Sequence, residues 1–282
     1  MFQKKTPLEK EWKRMRRREV RFFKSRSNQK ESFLNRKLAD KVPEKLQSTL
    51  DMAFEKAFTL IFEKGSGVID RTFQKEKLQE TYQMNEFADS LKHNRKSIHS
   101  FTKKAEGSGT KNLLISGAAG VGMGLIGVGI PDIPVLTAMM LKSIYEIALS
   151  YGYEYETEKE QAFLLMLIQG AVSTGVTMRR LDEEINSFIW KERLPDDYNK
   201  KEQIRETAGL LSRELLYMKF VQGIPIVGVV GGAYDIVYMK RITEYANIKY
   251  CRRFLINKKE IFKANKEGRI SPNPKMRTSD YD

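Results

Sequence analysis

The stretch from Asn112 to Tyr153 constrains the fold more than any other, because it is long, apolar and unusually rich in glycine. Asp132 is the one charged residue between Leu113 and Leu141. Glycine in a helix interior costs about 1 kcal/mol relative to alanine, so this many glycines indicate a packing or functional reason. Their spacing predicts a helix face along which another backbone can approach closely. The glycines of that face are Gly117, Gly120, Gly124 and Gly127.

Two other structures compete with a buried helix for the first half of this stretch. Residues 122–127 match the pattern G-x-G-x-x-G, but no alternating strand–helix units follow, so a nucleotide-binding loop is not favoured. Residues 113–130 are 18 uncharged positions, at the lower limit of what crosses a bilayer. An integral membrane protein with re-entrant glycine-rich helices therefore stays open as an alternative.

Prolines break the stretch at residues 130–134. Pro131 and Pro134 lack amide donors and disfavour helical backbone in the residue before them. A new helix is predicted from Val135 to Ser150, followed by Gly152 as its C-terminal glycine. Asp132 falls near the positive N-terminal end of that helix, where it is either a cap or a functional carboxylate.

A second glycine-rich segment, residues 222–235, resembles the first. Gly129-Ile-Pro131 corresponds to Gly223-Ile-Pro225, and a Lys-x-Ile-x-Glu-x-Ala pattern follows each break, at residues 142–148 and 240–246. The offset changes from 94 to 98 residues, so the similarity is either an internal duplication with an insertion or chance. The helix-packing glycines of this segment are Gly228, Gly231 and Gly232.

Apolar residues elsewhere recur at helical spacing, and no segment alternates in the manner of a strand. The sequence therefore predicts an all-α, multi-helix bundle without a sheet. The helices are predicted near residues 46–63, 113–130, 135–150, 158–178, 202–219 and 234–256. Residues 66–104 are polar and charged, with helical fragments predicted at 75–85 and 86–97, and residues 106–110 are predicted to be a linker.

Cysteine and histidine are too scarce for several classes of site. The single cysteine, Cys251, excludes an intramolecular disulfide and a cysteine-cluster metal site, and it suits a reducing compartment. His93 and His99 lie six residues apart in a polar segment, which is not a ligand spacing on a helix. We expect no metal and no cofactor. No N-terminal signal peptide is visible, so a cytoplasmic location is expected.

The net charge of +14 is concentrated at the two ends of the chain. Residues 1–30 carry a net charge of +9 and residues 249–282 carry +6, which leaves the other 218 residues close to neutral. Basic ends on a near-neutral body indicate attraction to an acidic surface rather than a basic binding cleft. We expect an anionic membrane as the partner and no nucleic acid, because no nucleic-acid-binding motif accompanies the charge.

A helix is predicted to begin at Thr6-Pro7-Leu8-Glu9, which has the cap, the proline and the glutamate of a typical helix start. This helix has aromatic and aliphatic side chains near one side and basic residues over much of the rest, a pattern suited to lying on an anionic membrane. The alternative is a solvated helix whose aromatic stripe packs on the body. The residues predicted to bind membrane are Trp12, Arg14, Arg17, Arg18, Arg21 and Phe23.

An enzyme is the second hypothesis for function. The sequence holds no G-x-S-x-G or H-E-x-x-H motif, so a hydrolase would depend on buried carboxylates with raised pKa values acting as acid and base. The same carboxylates could equally be helix caps or ion-pair partners of Lys142 and Lys240. The candidates are Asp132, Glu146, Asp235 and Glu244.

Several of these motifs, taken in order, resemble the EcsC family. They are the glycine-rich run with Ile130-Pro-Asp-Ile-Pro134, the segments 142–148 and 151–153, the later run 224–232, and the flanking residues 57–65 and 246–255. The resemblance covers roughly residues 45–256 and leaves out the basic N-terminal segment. We predict three parts: a basic arm at 1–42, an EcsC-like helical domain at 43–256 and a basic tail at 257–282.

The family takes its name from a bacterial protein encoded beside an ABC-type transporter, and it has no established reaction. The resemblance implies a non-enzymatic, membrane-associated accessory protein of a transporter or of an envelope process. Such a protein would be cytoplasmic and peripheral on the inner face of the cell membrane, with a transporter complex as a further partner.

Overall fold

The chain folds into a bundle of α-helices in the computed structural model. The structure describes residues 5–27, 44–65, 67–107, 133–221 and 232–266, and none of these residues forms a strand. The all-α bundle predicted from the sequence is confirmed. The helices are α1 (Pro7–Ser27), α2 (Glu44–Lys64), α3 (Gly67–Asp70), α4 (Lys75–Lys92), α5 (95–107), α6 (Ile133–Ser150), α7 (Glu158–Val172), α8 (Gly175–Lys191), α9 (Lys200–Val221) and α10 (Gly232–Lys266).

Most of the two glycine-rich segments lies outside the described residues. This holds for the predicted helix at 113–130, for Asp132 and for six of the seven packing glycines, namely Gly117, Gly120, Gly124, Gly127, Gly228 and Gly231. Gly232 is the first residue of α10. Close helix packing along the glycine face and the internal duplication therefore stay predictions.

Helix α7 lies at the centre of the bundle because its apolar residues are found on every side. Phe163, Leu164, Leu165, Leu167 and Ile168 are all fully buried, and a helix that is apolar all round belongs in a core. Helix α7 packs against α8, α9 and α10, while α10 also packs against α1 and α6. Helix α2 covers α6 and α9, and α4 covers α6.

The start of α1 has the local structure that its sequence predicts. The hydroxyl of Thr6 accepts a hydrogen bond from the Glu9 amide at 3.2 Å, and the Glu9 carboxylate accepts one from the Thr6 amide at 2.8 Å. This reciprocal pair is a capping box, in which two amides without partners in the helix are satisfied. The predicted N-terminus of the first helix is confirmed.

The single helix predicted at 158–178 is wrong. Helix α7 ends at Val172, Ser173 and Thr174 are extended, and α8 begins at Gly175, which has a positive φ of 59°. The guanidinium group of Arg26 donates to the carbonyl oxygens of Val172 and Ser173 at 3.0–3.2 Å. These bonds satisfy carbonyl groups at the end of α7 that have no partner within the helix, so the chain can turn there.

The predicted polar region at 66–104 contributes more to the core than its composition indicates. Helix α4 is continuous where two fragments were predicted, and α5 continues into the predicted linker, through residue 107. Phe101 on α5 is fully buried, and its ring packs against those of Tyr82 and Phe254. Ile98 and Ala105 of α5 are buried as well, and burying the Phe101 ring alone stabilises the fold by about 1.5–3 kcal/mol.

We expect Gly152→Ala to lower the free energy of unfolding by at least about 2 kcal/mol. Gly152 follows α6 with a φ of 79°, and an added methyl group would overlap the ring of Tyr82. The left-handed backbone alone costs an alanine about 1–2 kcal/mol, and displacing the ring adds to that cost. Urea unfolding followed by circular dichroism measures the change.

Gly209→Ala is the matched control for this substitution. Gly209 lies inside α9, and a methyl group there would meet nothing within 4 Å. Because alanine favours helix over glycine, this variant is expected to gain about 0.5–1 kcal/mol. Equal stability of the two variants would contradict the close approach of Gly152 to Tyr82.

Candidate functional site

Helix α1 has an exposed outer face and an inner face that contacts the body. Glu11, Met15, Glu19, Phe22 and Arg26 are each at most 5% exposed. Their spacing of four, four, three and four residues places them along one side of the helix. Helix α1 packs against α10 and α8. The described structure thus has the arrangement in which the basic helix packs on the body.

A cluster of buried charges joins α1 to α8 and α10. The ammonium group of Lys249 is fully buried, lies 2.8 Å from the Glu19 carboxylate and also pairs with Asp182. Arg252 binds the other Glu19 oxygen at 2.5 Å. Burial raises the pKa of Glu19, but Lys249 and Arg252 outweigh burial and hold this pKa below its ordinary value. Glu19 is therefore ionised at neutral pH and ties the first helix to the last.

A second cluster joins α1 to α5. The guanidinium group of Arg14 lies 2.9 Å from both Glu11 and Glu106, and that of Arg18 lies 2.8 Å from Glu106. Arg18 also donates to the side-chain oxygen of Asn247 on α10 at 3.1 Å. Burial raises the pKa of Glu11, but hydrogen bonds from Arg14 and two neighbouring side chains outweigh it, so this pKa is lowered. Two of the predicted membrane-binding arginines are thus engaged with the body.

The two aromatic residues predicted to bind membrane are also in contact with the body. Trp12 and Phe23 are half-buried and pack against the hydrophobic core. The guanidinium group of Arg252 lies 5.4 Å from the centre of the Trp12 ring, within the range of a cation–π interaction. While α1 is docked, part of each ring is covered by the body of the protein.

Five basic side chains form a row along the outer face of α1, which we call the basic ridge: Lys10, Lys13, Arg17, Arg21 and Lys24. All five are exposed, and their spacing of three or four residues keeps them on one side of the helix. Positive charge on Lys5, and then on Arg17, lowers the pKa of Lys13. This repulsion between like charges indicates that the ridge is a concentrated positive surface. Arg17 and Arg21 were predicted to bind membrane.

Two of the four candidate carboxylates can be placed with their side chains. Glu146 is buried on α6, and Glu244 is half-buried on α10. Asp132 lies outside the described residues, and so does the side chain of Asp235 at the start of α10. Lys142, a proposed ion-pair partner, donates a hydrogen bond to the backbone carbonyl oxygen of Thr72 at 2.9 Å.

A cleft of about 1250 Å³ opens between α2, α7, α8 and α9. The Asp51 carboxylate at its wall accepts hydrogen bonds from Gln47 at 2.8 Å and from Ser212. Gln169 donates to Thr207 at 3.0 Å. In the described part of the chain, no group of three or more histidine, cysteine or acidic residues could hold a metal ion. The sequence did not predict this cleft, because one of its walls comes from α2, which is about 100 residues or more from the consecutive helices α7, α8 and α9.

Within the described ranges, one helix is long and apolar enough to cross a membrane by length and composition. It is α6, Ile133–Ser150, and 72% of it is buried inside the fold. A core helix of a soluble protein passes the same test, so this helix is weak evidence for a membrane span. The uncharged segment Gln161–Met178 is divided between α7 and the start of α8.

The inner face of α1 was not predicted, although the sequence contains a pattern of acidic and apolar residues that indicates it. Glu11 and Glu19 are two of only three acidic residues in a strongly basic segment, and they lie eight residues apart on one side of the helix. Acidic residues placed in line with Met15 and Phe22 indicate a face that meets basic residues elsewhere. Those basic residues are Lys249 and Arg252 on α10, together with Arg14 of α1 itself.

Comparison with known proteins relates most of the described bundle to one protein family. The model of the EcsC protein family matches residues 9–255, so the match includes α1. The chain is 26% identical over 195 residues to the uncharacterized protein YdbA of Bacillus subtilis, covering 67% of this chain and 69% of that one. It is 24% identical over 221 residues to Protein EcsC of the same organism, covering 78% and 83%. No solved structure matches.

Proposed function

Because this chain belongs to the EcsC protein family, whose model spans α1 as well as the bundle, we propose that the protein is a non-enzymatic accessory protein that attaches to the surface of an anionic membrane. The basic ridge of α1 makes the attachment. The membrane is the inner face of the cell membrane, and the attached protein serves a transporter or an envelope process.

The observation that supports this proposal is the row of five exposed basic side chains on a helix that is fixed in place. From Lys10 to Lys24 the ridge extends for roughly 21 Å, at 1.5 Å of rise per residue. Each basic residue close to an anionic membrane surface contributes about 1 kcal/mol to binding. Since α1 is held by the clusters around Glu19 and Glu106, these charges are presented together and the helix does not have to fold at the membrane.

This form of attachment differs from the one expected for a free amphipathic arm. A free arm would insert Trp12 and Phe23 into the headgroup region, whereas the docked helix keeps both rings against the core. Binding through the ridge is therefore electrostatic and falls steeply with salt, as the Debye length shrinks from about 10 Å at 0.1 M to about 3 Å at 1 M.

We expect charge reversal of the ridge to weaken binding to anionic vesicles at least about tenfold at low salt. The variant carries Lys13→Glu, Arg17→Glu, Arg21→Glu and Lys24→Glu. The fraction that sediments with vesicles of phosphatidylcholine and phosphatidylserine measures binding, and vesicles of phosphatidylcholine alone should bind the parent poorly.

A control variant changes the net charge by the same amount at exposed positions away from α1: Lys56→Glu, Arg71→Glu, Lys201→Glu and Arg205→Glu. It is expected to keep most of the parent's binding. Equal loss in both variants would mean that overall charge, and not the ridge, attracts the protein. Full binding by the ridge variant would refute the proposal.

A further inference from the structure

Helix α4 presents an apolar stripe to the outside. Met84, Phe87 and Leu91 are 72%, 67% and 67% exposed, and their spacing of three and four residues places them on one side of the helix. The opposite side packs on the core through Leu78 and Tyr82. Single exposed apolar side chains are ordinary, but a contiguous exposed row of large ones marks an interaction surface.

The end of α10 carries two further exposed apolar side chains close to the second half of α4. The ammonium group of Lys258 lies 2.8 Å from the Glu86 carboxylate and 3.1 Å from that of Asp89, so this part of α10 lies next to the second half of α4. Ile261 and Phe262, about half exposed, follow Lys258 by one turn of helix, which advances about 5.4 Å. Both helices thus carry exposed apolar residues at neighbouring ends.

Exposed basic residues border these apolar side chains. Lys92, Arg95 and Lys96 follow the stripe at the corner between α4 and α5, and Lys259 and Lys263 flank Ile261 and Phe262 on α10. Glu86 and Asp89, the two acids in the second half of α4, are paired with Lys258. The exposed acids in the described parts of these helices are Glu76 and Glu80, which precede the stripe on α4, and Glu260 on α10, so the border is positive at the Leu91 end of the stripe and along the end of α10.

The positive border adjoins the start of the basic ridge. Helices α1 and α5 lie side by side and run in the same direction: Glu11 contacts His99, Arg14 contacts Thr102, and Arg18 contacts Glu106, always at an offset of 88 residues. The same offset places residues 95 and 96 level with residues 7 and 8 at the beginning of α1. Arg95 and Lys96 therefore lie near the end of the ridge that begins at Lys10.

We propose that the apolar stripe, together with Ile261 and Phe262, inserts shallowly into the headgroup region of an anionic bilayer. This inference rests on the proposed attachment of the protein to such a membrane, and it names the contact that salt does not remove. Apolar side chains that protrude from a helix and have lysine and arginine at one end of their row fit the interface of an anionic bilayer. A docking protein helix would instead require a groove.

The test compares the parent with a variant that carries Met84→Gln, Phe87→Gln and Leu91→Gln. All three positions are exposed, so the melting temperature of the variant should equal that of the parent. The parent is expected to retain vesicle binding at about 1 M salt, where screening suppresses the attraction between the ridge and the lipids. At that salt concentration the variant should bind at least about tenfold more weakly than the parent. The matched control removes exposed apolar residues elsewhere, through Met52→Gln, Leu60→Gln and Val176→Gln, and should bind like the parent.

A fluorescent label reports insertion directly. The native Cys251 is buried, and burial raises the pKa of its thiol to about 12, so an added surface cysteine reacts selectively. An environment-sensitive dye on Leu91→Cys should shift to the blue on anionic vesicles, while the same dye on Met52→Cys should not. The ridge variant is tested in the same assay. A dye shift at Leu91 that is as large in the ridge variant as with the native ridge would support insertion of the stripe and refute the proposed role of α1.

Three results would overturn the inference about the stripe. One is residual binding at high salt that is the same in the parent and in the stripe variant. Another is that the dye on Leu91→Cys does not shift on anionic vesicles, although charge reversal of the ridge abolishes binding. The proposed function would then stand without the stripe. The last is a parent dimer, observed without vesicles, that the stripe variant does not form, because a second copy would then cover the stripe.

Discussion

Replacing Lys249 with methionine is expected to lower the free energy of unfolding by about 3–5 kcal/mol, the usual cost of removing one partner from a buried ion pair. Lys249 is fully buried and pairs with both Glu19 and Asp182. Methionine keeps most of the apolar stem but removes the charge, so both carboxylates lose a cation inside the fold. Urea unfolding of the full chain measures the loss.

Lys259→Met, on the exposed side of the same helix, is the matched control and should change stability by less than about 0.5 kcal/mol. Glu19 in this cluster and Glu11 in the cluster with Arg14 give the parent an acid-sensitive stability. The folded-state pKa values of Glu11 and Glu19 lie below the ordinary 4.5, so their contribution is complete above that pH and disappears as the pH falls through the lowered values. Similar unfolding curves for Lys249→Met and Lys259→Met would contradict the buried cluster.

Replacing Arg253 with methionine is expected to have a comparable effect, about 3–5 kcal/mol at neutral pH, for a different local reason. Arg253 is buried, lies 2.7 Å from Glu160 and stacks over the Tyr153 ring at 4.2 Å and the Phe163 ring at 5.4 Å. The guanidinium group therefore provides both the cation for Glu160 and a cation–π contact with the core. Its removal leaves a buried carboxylate among aromatic rings.

The pH dependence of this loss distinguishes the missing cation from the missing contacts. Burial raises the pKa of Glu160 even with Arg253 present. A folded-state pKa that is raised favours the folded protein at low pH and disfavours it as the pH rises through that value. The loss caused by Arg253→Met should therefore be smaller at about pH 5 than at about pH 8. The double variant with Glu160→Gln should recover part of the loss, and a loss that is independent of pH would argue against an ionised Glu160.

Elements whose signals are local could be predicted from the sequence. The start of α1 depends on Thr6 and Glu9, which are three residues apart, and the end of α6 depends on the conformation of Gly152. The amphipathic stripes of α2 and α9 likewise define those helices locally. Both helices begin and end within two residues of the predicted bounds. In each of these cases the residues that determine the structure are neighbours along the chain.

Features that depend on distant partners could not be predicted in this way. The break between α7 and α8 is stabilised by Arg26, about 146 residues away, so the apolar pattern of 158–178 alone gave one continuous helix. Local charge identified α1 as a basic surface. It did not show that Arg14 and Arg18 pair with the body whereas Arg17 and Arg21 are exposed, because the partner of Arg14 and Arg18 is Glu106, which lies on another helix.

The ion pair between Glu19 and Lys249 has a consequence for the order of events during synthesis. The two residues are 230 positions apart, and the chain is made from its N-terminus. At the usual rate of about 5–20 residues per second, roughly 12–46 s pass between the making of Glu19 and of Lys249. During that interval Glu19 lacks its cations on α10, and Phe22 lacks the Tyr245 ring on which it stacks. The contacts of α1 with α5 and with the end of α7 can form earlier, but its buried ion pairs with α10 form only after Lys249 has been made.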